Sequence, residues 1–444
     1  MNRTGRIVTA TLLLFPLSPP QAAAVVPPGI EDGRLPPATA PAPAHPTEQR
    51  QPCFSATPGT EPGDDRQREF EAVWRLSRGA GQTVAVIDTG VAQHRLLPHL
   101  FGGGDYVSHT DGTTDCDGHG TLVAGLIGAA PTPDGFAGVA PDAAILAIRQ
   151  SSNKFSADGT GPGVGDVDTL ARAVRTAADL GATVINISSV ACVAADRATA
   201  DQSLDDRALG AALAYAVDVK NAVVVTAAGN VGGPGYCPEQ NPISARPDWD
   251  GVRTVASPAW YDDLVLCVGS VDRSGAASQF TLAGPWVDVA APGENIVSLH
   301  PDGDHLLDKI GDAQPISGTS YPSALVSGVV ALVRTRFPQL TARAVMQRIK
   351  STARHPASGW DSAVGNGVVD ALAAVSDGGG VAGVVPPGPV ALAPEAARAE
   401  DPTPRRVAFG GAALCVVAAT LLVAAASLGN LRRRPAGVEA VSDD

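Results

Sequence analysis

Four short stretches of the chain carry side chains suited to chemistry at a carbonyl. Asp88 closes the apolar run of "VAVIDTGV", residues 84–91. His119 stands between Gly118 and Gly120 in "DGHGTLVAG", Asn230 follows Gly229 in "VVVTAAGN", and Ser320 lies in "SGTSYPSALVSG". D-T-G at a strand end fits two hydrolytic chemistries. In one, two aspartates share a proton, which requires a second D-[ST]-G. The nearest candidate is Asp361-Ser362-Ala363, which lacks the glycine and does not end an apolar strand. In the other, one aspartate orients a histidine that serves a nucleophilic serine. Of the 8 histidines, His119 alone has a local setting for that role, because a run of small and aliphatic residues follows it at once. A metal site would want a further ligand at close spacing, such as a second His at i+4, and none is there.

The serine reading makes specific demands on the elements. Asp88 must end a strand, and His119 must open a buried helix. Ser320 must open another helix, where backbone N–H groups and the positive end of the helix dipole can stabilise an oxyanion. Asn230, just past a strand, supplies a side-chain amide as the opposing donor. Apolar runs at Thr83–Asp88, Ala144–Arg149, Thr183–Ser188, Ala222–Ala227 and Leu264–Val271 read as strands buried on both faces. Between them lie helical patterns such as "VDTLARAVRTAADLG", with Asp168 as candidate N-cap and Gly181 as stop, and "DDRALGAALAYAVDV". This alternation predicts an α/β fold, a doubly wound and mainly parallel sheet with helices on both faces. An extended peptide would pair along the edge near "INISSVAC", with Ser188, Ser189 and Val190 bordering the pocket before the scissile bond.

The 444 residues exceed one domain's needs. Residues 1–24 have Arg3 and Arg6, an apolar run and Ala22-Ala23-Ala24, the pattern of a signal peptide. Residues 25–65 are Pro-rich and cannot bury enough apolar area to fold alone. The catalytic domain is expected over 66–375, followed by a Gly/Pro/Ala linker over 376–404. Residues 407–428 hold 22 residues without a charge, roughly 33 Å as a helix against a bilayer core of about 30 Å. Arg432-Arg433-Arg434 follow, so the tail (429–444) is expected in the cytoplasm and the domain outside, held by a single transmembrane helix. A net charge of −13 argues against a nucleic-acid partner. Cys415 falls in the membrane segment and Cys267 in an apolar strand, while Cys53, Cys116, Cys192 and Cys237 lie in loops where disulfides suit an oxidising compartment. Spacing does not settle their pairing.

Together these stretches resemble the subtilases, the subtilisin-like serine endopeptidases, over roughly residues 70–375, with "VINIS" and "VDVAAPG" between the motifs above. More narrowly they resemble the mycosins, membrane-anchored subtilases of type VII secretion systems. That match rests on the export signal, the Pro-rich segment, "SPAWYDDLVLCVGSV", "GPWVDVAAPG" and the C-terminal linker, anchor and basic stop. The resemblance implies Asp88, His119 and Ser320 as a triad, Asn230 as oxyanion donor, and disulfides Cys53–Cys116 and Cys192–Cys237. It also implies a subtilisin-like fold and association with a secretion membrane complex, either as a protease or as a stabilising subunit; the acyl-enzyme chemistry requires no metal or organic cofactor. One departure stands out: Pro322 comes two positions after the serine and alanine occupies 324, where subtilases commonly have a small residue and then a proline.

Overall fold

The computed structural model describes residues 25–377 apart from 58, 60–65, 158–162, 201–205, 234 and 311–313. The expected signal peptide, all but the first two residues of the linker, the membrane segment 407–428 and the tail lie outside the described residues. Among the described residues no helix is long and apolar enough to cross a membrane.

In chain order the elements that matter are β1 (Thr47–Gln49), α1 (Arg66–Trp74), β2 (Thr83–Asp88), β3 (Leu100–Asp105), α2 (His119–Gly128), β4 (Ala144–Arg149) and β5 (Phe155–Ala157). There follow α3 (Val167–Asp179), β6 (Val184–Ile187), β7 (Ala191–Ala194), α4 (Ala195–Ala200), α5 (Arg207–Ala214), β8 (Val223–Ala227), β9 (Thr254–Ser257), β10 (Leu266–Val271) and β11 (Val289–Pro292). The last three are α6 (Ser320–Arg336), α7 (Ala342–Thr352) and α8 (Ala371–Val375). One seven-stranded sheet runs β11-β10-β8-β6-β2-β4-β3, and every neighbouring pair in it is parallel.

The five expected strands are all present, trimmed by at most two residues at their starts and, for Thr183–Ser188, by one at the end. In β2, Val84 to Ile87 are each no more than 1% exposed. Consecutive strand residues point to opposite faces, so both faces of the sheet are covered. Two strands of this sheet were not legible. β3 is "LFGGGD", whose glycines read as a turn; a Cβ on Gly103 would lie 2.7 Å from Ile148 Cγ1, so the edge strand approaches β4 too closely for side chains. β11 is four residues long and ends in proline. The start of α3 also differs: Asp166, not Asp168, is the N-cap. Asp166 has extended backbone, accepts the Thr169 N–H, and completes a capping box with the Thr169 hydroxyl.

Helices α2 and α6 pack against each other, α6 spanning β6, β8, β10 and β11, while α3 lies on β2, β4 and β6 beside α5. Pro322 is the third residue of α6, and the helix forms regardless. The N–H it lacks has no acceptor within the helix at that position. The N-terminal segment lies over the domain: β1 pairs with β5 antiparallel, and the Phe54 N–H donates to the Cys116 carbonyl at 2.7 Å. Cys53 is bonded to Cys116 and Cys192 to Cys237, while Cys267 is a free, buried thiol.

Candidate active site

All four motif residues sit at one edge of the sheet. Asp88 ends β2, Ser188 follows β6 and Asn230 lies just past β8, so the carboxyl ends of three neighbouring strands supply them. His119 and Ser320 are the first residues of α2 and α6. In an open α/β sheet this rim is where ligands bind.

Asp88 is fully buried, and its Oδ1 lies 2.7 Å from His119 Nδ1. A carboxylate only accepts, so Nδ1 carries the proton and Nε2 is left with its lone pair as a base. The Thr89 N–H also donates to Oδ1, at 2.8 Å. Two glycines permit this approach. A Cβ on Gly120 would stand 1.9 Å from the Gly90 carbonyl oxygen, and Gly90 itself has φ +100° with the Thr114 carbonyl 2.1 Å from its would-be Cβ. Burial pushes His119 towards its neutral form. The charge and hydrogen bond of Asp88 outweigh that, Asp115 and Asp117 add to them, and the imidazole pKa is raised above its ordinary value.

Sequence reasoning missed Asp115. Its carboxylate takes the Thr89 hydroxyl at 2.9 Å, the Asp117 and Gly118 N–H groups at 3.2 and 2.7 Å, and the Thr121 N–H and hydroxyl at 2.9 and 2.7 Å. It thereby joins the turn after Asp88 to the start of α2. Burial lifts its pKa to about 6 against those donated bonds. An aspartate four residues before the histidine, with threonines near both motifs, was the available signal.

Ser320 is 8% exposed. Its hydroxyl is turned to the Ser188 carbonyl, 3.4 Å away, and among the described hydrogen bonds none joins it to the imidazole. The next residue brings the two motifs together: the Tyr321 and His119 rings have centroids 5.8 Å apart. Asn230 Oδ1 accepts the Thr319 N–H at 3.0 Å and the Thr319 hydroxyl at 3.1 Å. An N–H can only donate, so the amide is held with oxygen towards Thr319 and Nδ2 on the other side. Thr319 is the second residue missed; its hydroxyl also accepts the Gly229 N–H at 3.2 Å, tying the β8 end to α6.

Ser189 and Val190 line a cavity of about 150 Å³ with Gln150, Val167 and Leu170. The Ser188 side chain points instead towards α6, accepting from Asn186 Nδ2 at 2.9 Å and lying 3.4 Å from Ser323 Oγ. Among the described residues no cluster of three His, Cys, Asp or Glu side chains is arranged to hold a metal ion.

The model of the subtilase family matches residues 79–367. Mycosin-4 of Mycobacterium tuberculosis (strain ATCC 25618 / H37Rv) is 55% identical over 455 residues, which cover 98% of each chain. The solved structure of the MycP3 protease from the type VII (ESX-3) secretion system superposes with a TM-score of 0.72 at 46% identity, covering 79% of this chain and all of that one. A chain in the structure of an intact ESX-5 inner membrane complex gives a TM-score of 0.72 at 39% identity, over 92% of this chain and 100% of that chain. With a family match over most of its length and a mycosin similar from end to end, the chain belongs to the subtilase family of serine endopeptidases and, within it, to the mycosins.

Proposed function

We propose that this serine endopeptidase works through an acyl-enzyme formed on Ser320, with His119 as general base and then acid, and Asp88 as the group that holds His119 in its working tautomer. The observation that carries the reading is the 2.7 Å bond between Asp88 Oδ1 and His119 Nδ1, which leaves Nε2 as the base. Rotation of Ser320 about χ1, away from the Ser188 carbonyl, brings Oγ to Nε2 as substrate binds; such bonds are commonly long in unliganded enzymes. Oγ then attacks the peptide carbonyl, and its proton passes to Nε2. The oxyanion is held by Asn230 Nδ2 and by the Ser320 N–H, the first in α6. His119 returns the proton to the leaving amine, and water, deprotonated by His119, releases the acyl group. Ser188, Ser189 and Val190 border the substrate strand on the non-leaving side, and side chains seated in the cavity of Val190, Val167 and Leu170 select among peptides.

The domain works outside the cytoplasm, exported by residues 1–24 and held by a helix over 407–428, with 429–444 inside. The likeness to a chain of an ESX-5 inner membrane complex supports a place beside a type VII secretion membrane complex. It equally supports a second reading, in which the chain stabilises such a complex and proteolysis is secondary. Labelling membrane fractions with a fluorophosphonate separates the two. A band in the parent chain that is lost in Ser320→Ala supports the enzyme reading. An unlabelled parent, with secretion still lost on deletion, leaves only the structural one.

A further inference from the structure

A cavity of about 1020 Å³ lies far from the catalytic rim. Asp218 and Val219 come just before β8, and Asp262 to Leu264 just before β10. The cavity is therefore at the amino ends of β8 and β10, and Asn230 follows the carboxyl end of β8. A strand of this length puts roughly 20 Å between the two edges.

One wall of the cavity belongs to the N-terminal segment. Val25 is buried and its N–H donates to the Trp249 carbonyl at 3.3 Å. Val26 and Ile30 follow, 68% and 43% exposed, beside Val219 at 68%. Trp249, Trp260, Tyr261 and Leu264 form the opposite wall. Exposed aliphatic side chains continuous with an aromatic-lined cavity are what an interaction site presents.

The rim is acidic. Among the described residues Arg343 is the one cation lining it, and both carboxylate oxygens of Asp218 engage that guanidinium at 2.8 and 2.9 Å, with the Asp263 carbonyl taking a third N–H at 2.6 Å. Asp32 and Asp263 remain exposed around the opening without an ion pair among the described residues, while Asp262 is half-buried and, like Asp263, feels the more distant Lys350 ammonium. A second copy docking about a two-fold axis would set these carboxylates against themselves. An anionic bilayer surface would be repelled as well. The volume lies at the top of the range for small-molecule sites, and the open apolar rim suits a chain segment.

We propose that this groove is a docking site for a segment of a partner protein carrying an apolar stripe flanked by Lys or Arg, on the opposite edge of the sheet from the catalytic cleft. Docking there leaves the cleft open while the partner is held, so the same molecule can be anchored and cut peptides. The inference stands on the groove alone and does not depend on the catalytic assignments.

The test uses the full chain carrying Ser320→Ala, purified in detergent, so that no probe is cut. The probes are fluorescent peptides of about a dozen residues with alternating Leu and Ser, one ended by lysines and the other by glutamates. The expected result is binding of the lysine peptide at least about tenfold tighter, with a preference that shrinks as ionic strength rises from about 0.05 to about 0.5 M. Asp32→Lys with Asp263→Lys, both at exposed positions, should reverse the preference, and Val26→Ser with Ile30→Ser should weaken both peptides. The substituted chains should unfold thermally at the parent's midpoint, which establishes folding without reference to activity. Equal binding of the two peptides, or a preference that survives the lysine substitutions, would overturn the proposal, since the peptide then sits elsewhere. Displacement of the lysine peptide by anionic lipid in mixed micelles would overturn it in favour of a membrane contact. A dimer that Asp263→Lys abolishes would do so in favour of self-association.

Discussion

The two carboxylate oxygens of Asp88 differ in their surroundings. Oδ1 takes two hydrogen bonds, while Oδ2 is buried with no partner. A charge held this way is compensated chiefly by the imidazole, which is why the imidazole pKa rises. On the proposed mechanism catalysis needs neutral His119, so the acid limb of kcat/KM should lie at a pH above that of an ordinary imidazole. Asp117→Asn removes one of the charges that raise it, and the limb should move to lower pH; a pH profile of each chain decides. The linked effect on stability has a definite sign. A histidine raised in the folded state stabilises the fold below its unfolded value, and that contribution disappears as pH climbs through the folded value. At the oxyanion, Asn230→Ala should lower kcat by about 10²–10³ with KM nearly unchanged, the range typical of losing one such donor, subtilisin's own included. Thr319→Val removes one of the two hydrogen bonds that orient the Asn230 amide and keeps the one from the backbone N–H. A milder loss of about tenfold is expected, the worth of one positioning hydrogen bond. If Thr319→Val matched Asn230→Ala in severity, orientation would be the whole of the amide's contribution.

At the scale of elements, the site depends on α2 lying almost against the turn that follows β2. Gly120→Ala would drive a methyl group into the Gly90 carbonyl, which is backbone and cannot rotate away. The expected outcome is destabilisation of about 1–3 kcal/mol together with loss of activity beyond what that destabilisation explains, measured by thermal unfolding and fluorophosphonate labelling of the folded fraction. Much of this layer was legible in the sequence. Continuous apolar runs marked the five central strands because both faces of the sheet are covered, and the openings of α2 and α6 were readable from the small and apolar residues behind His119 and Ser320. What escaped was set by tertiary contact. β3 is a strand because its glycines fit against Ile148 and Asp111, a fact no local propensity records. Asp166 and Asp168 are equivalent as capping types, and only the extended backbone at Asp166 distinguishes them. Asp115 and Thr319 look like ordinary loop residues until five donors gather on one and an amide is seen fixed by the other. The cysteine spacing left the pairing open, and the family resemblance supplied it as found.

For the whole molecule, the cleft and the acidic groove lie at opposite edges of one sheet, so attachment and catalysis need not compete for surface. Residues 407–428 bear on where that surface is displayed. If they anchor the chain, alkaline carbonate should leave the full protein in the membrane pellet, and a stop codon after residue 404 should release it in active form; full protein extracted by carbonate would remove the anchor from the account. The N-terminal segment has a further consequence. Cys53 is bonded to Cys116, three residues before His119, and Asp117 between them is gripped by the Ser152 hydroxyl and, at 2.7 Å, the Asn153 N–H. A chain in a reducing compartment lacks that covalent tether, so the loop before His119 keeps only its hydrogen bonds, those of Asp115 and Asp117 and that from Phe54 to the Cys116 carbonyl. If the chain is exported as proposed, full reactivity is expected only once an oxidising compartment has closed the Cys53–Cys116 bond. Chain refolded with dithiothreitol throughout should label slowly and gain reactivity when oxidised, whereas Cys53→Ser should stay slow under both conditions.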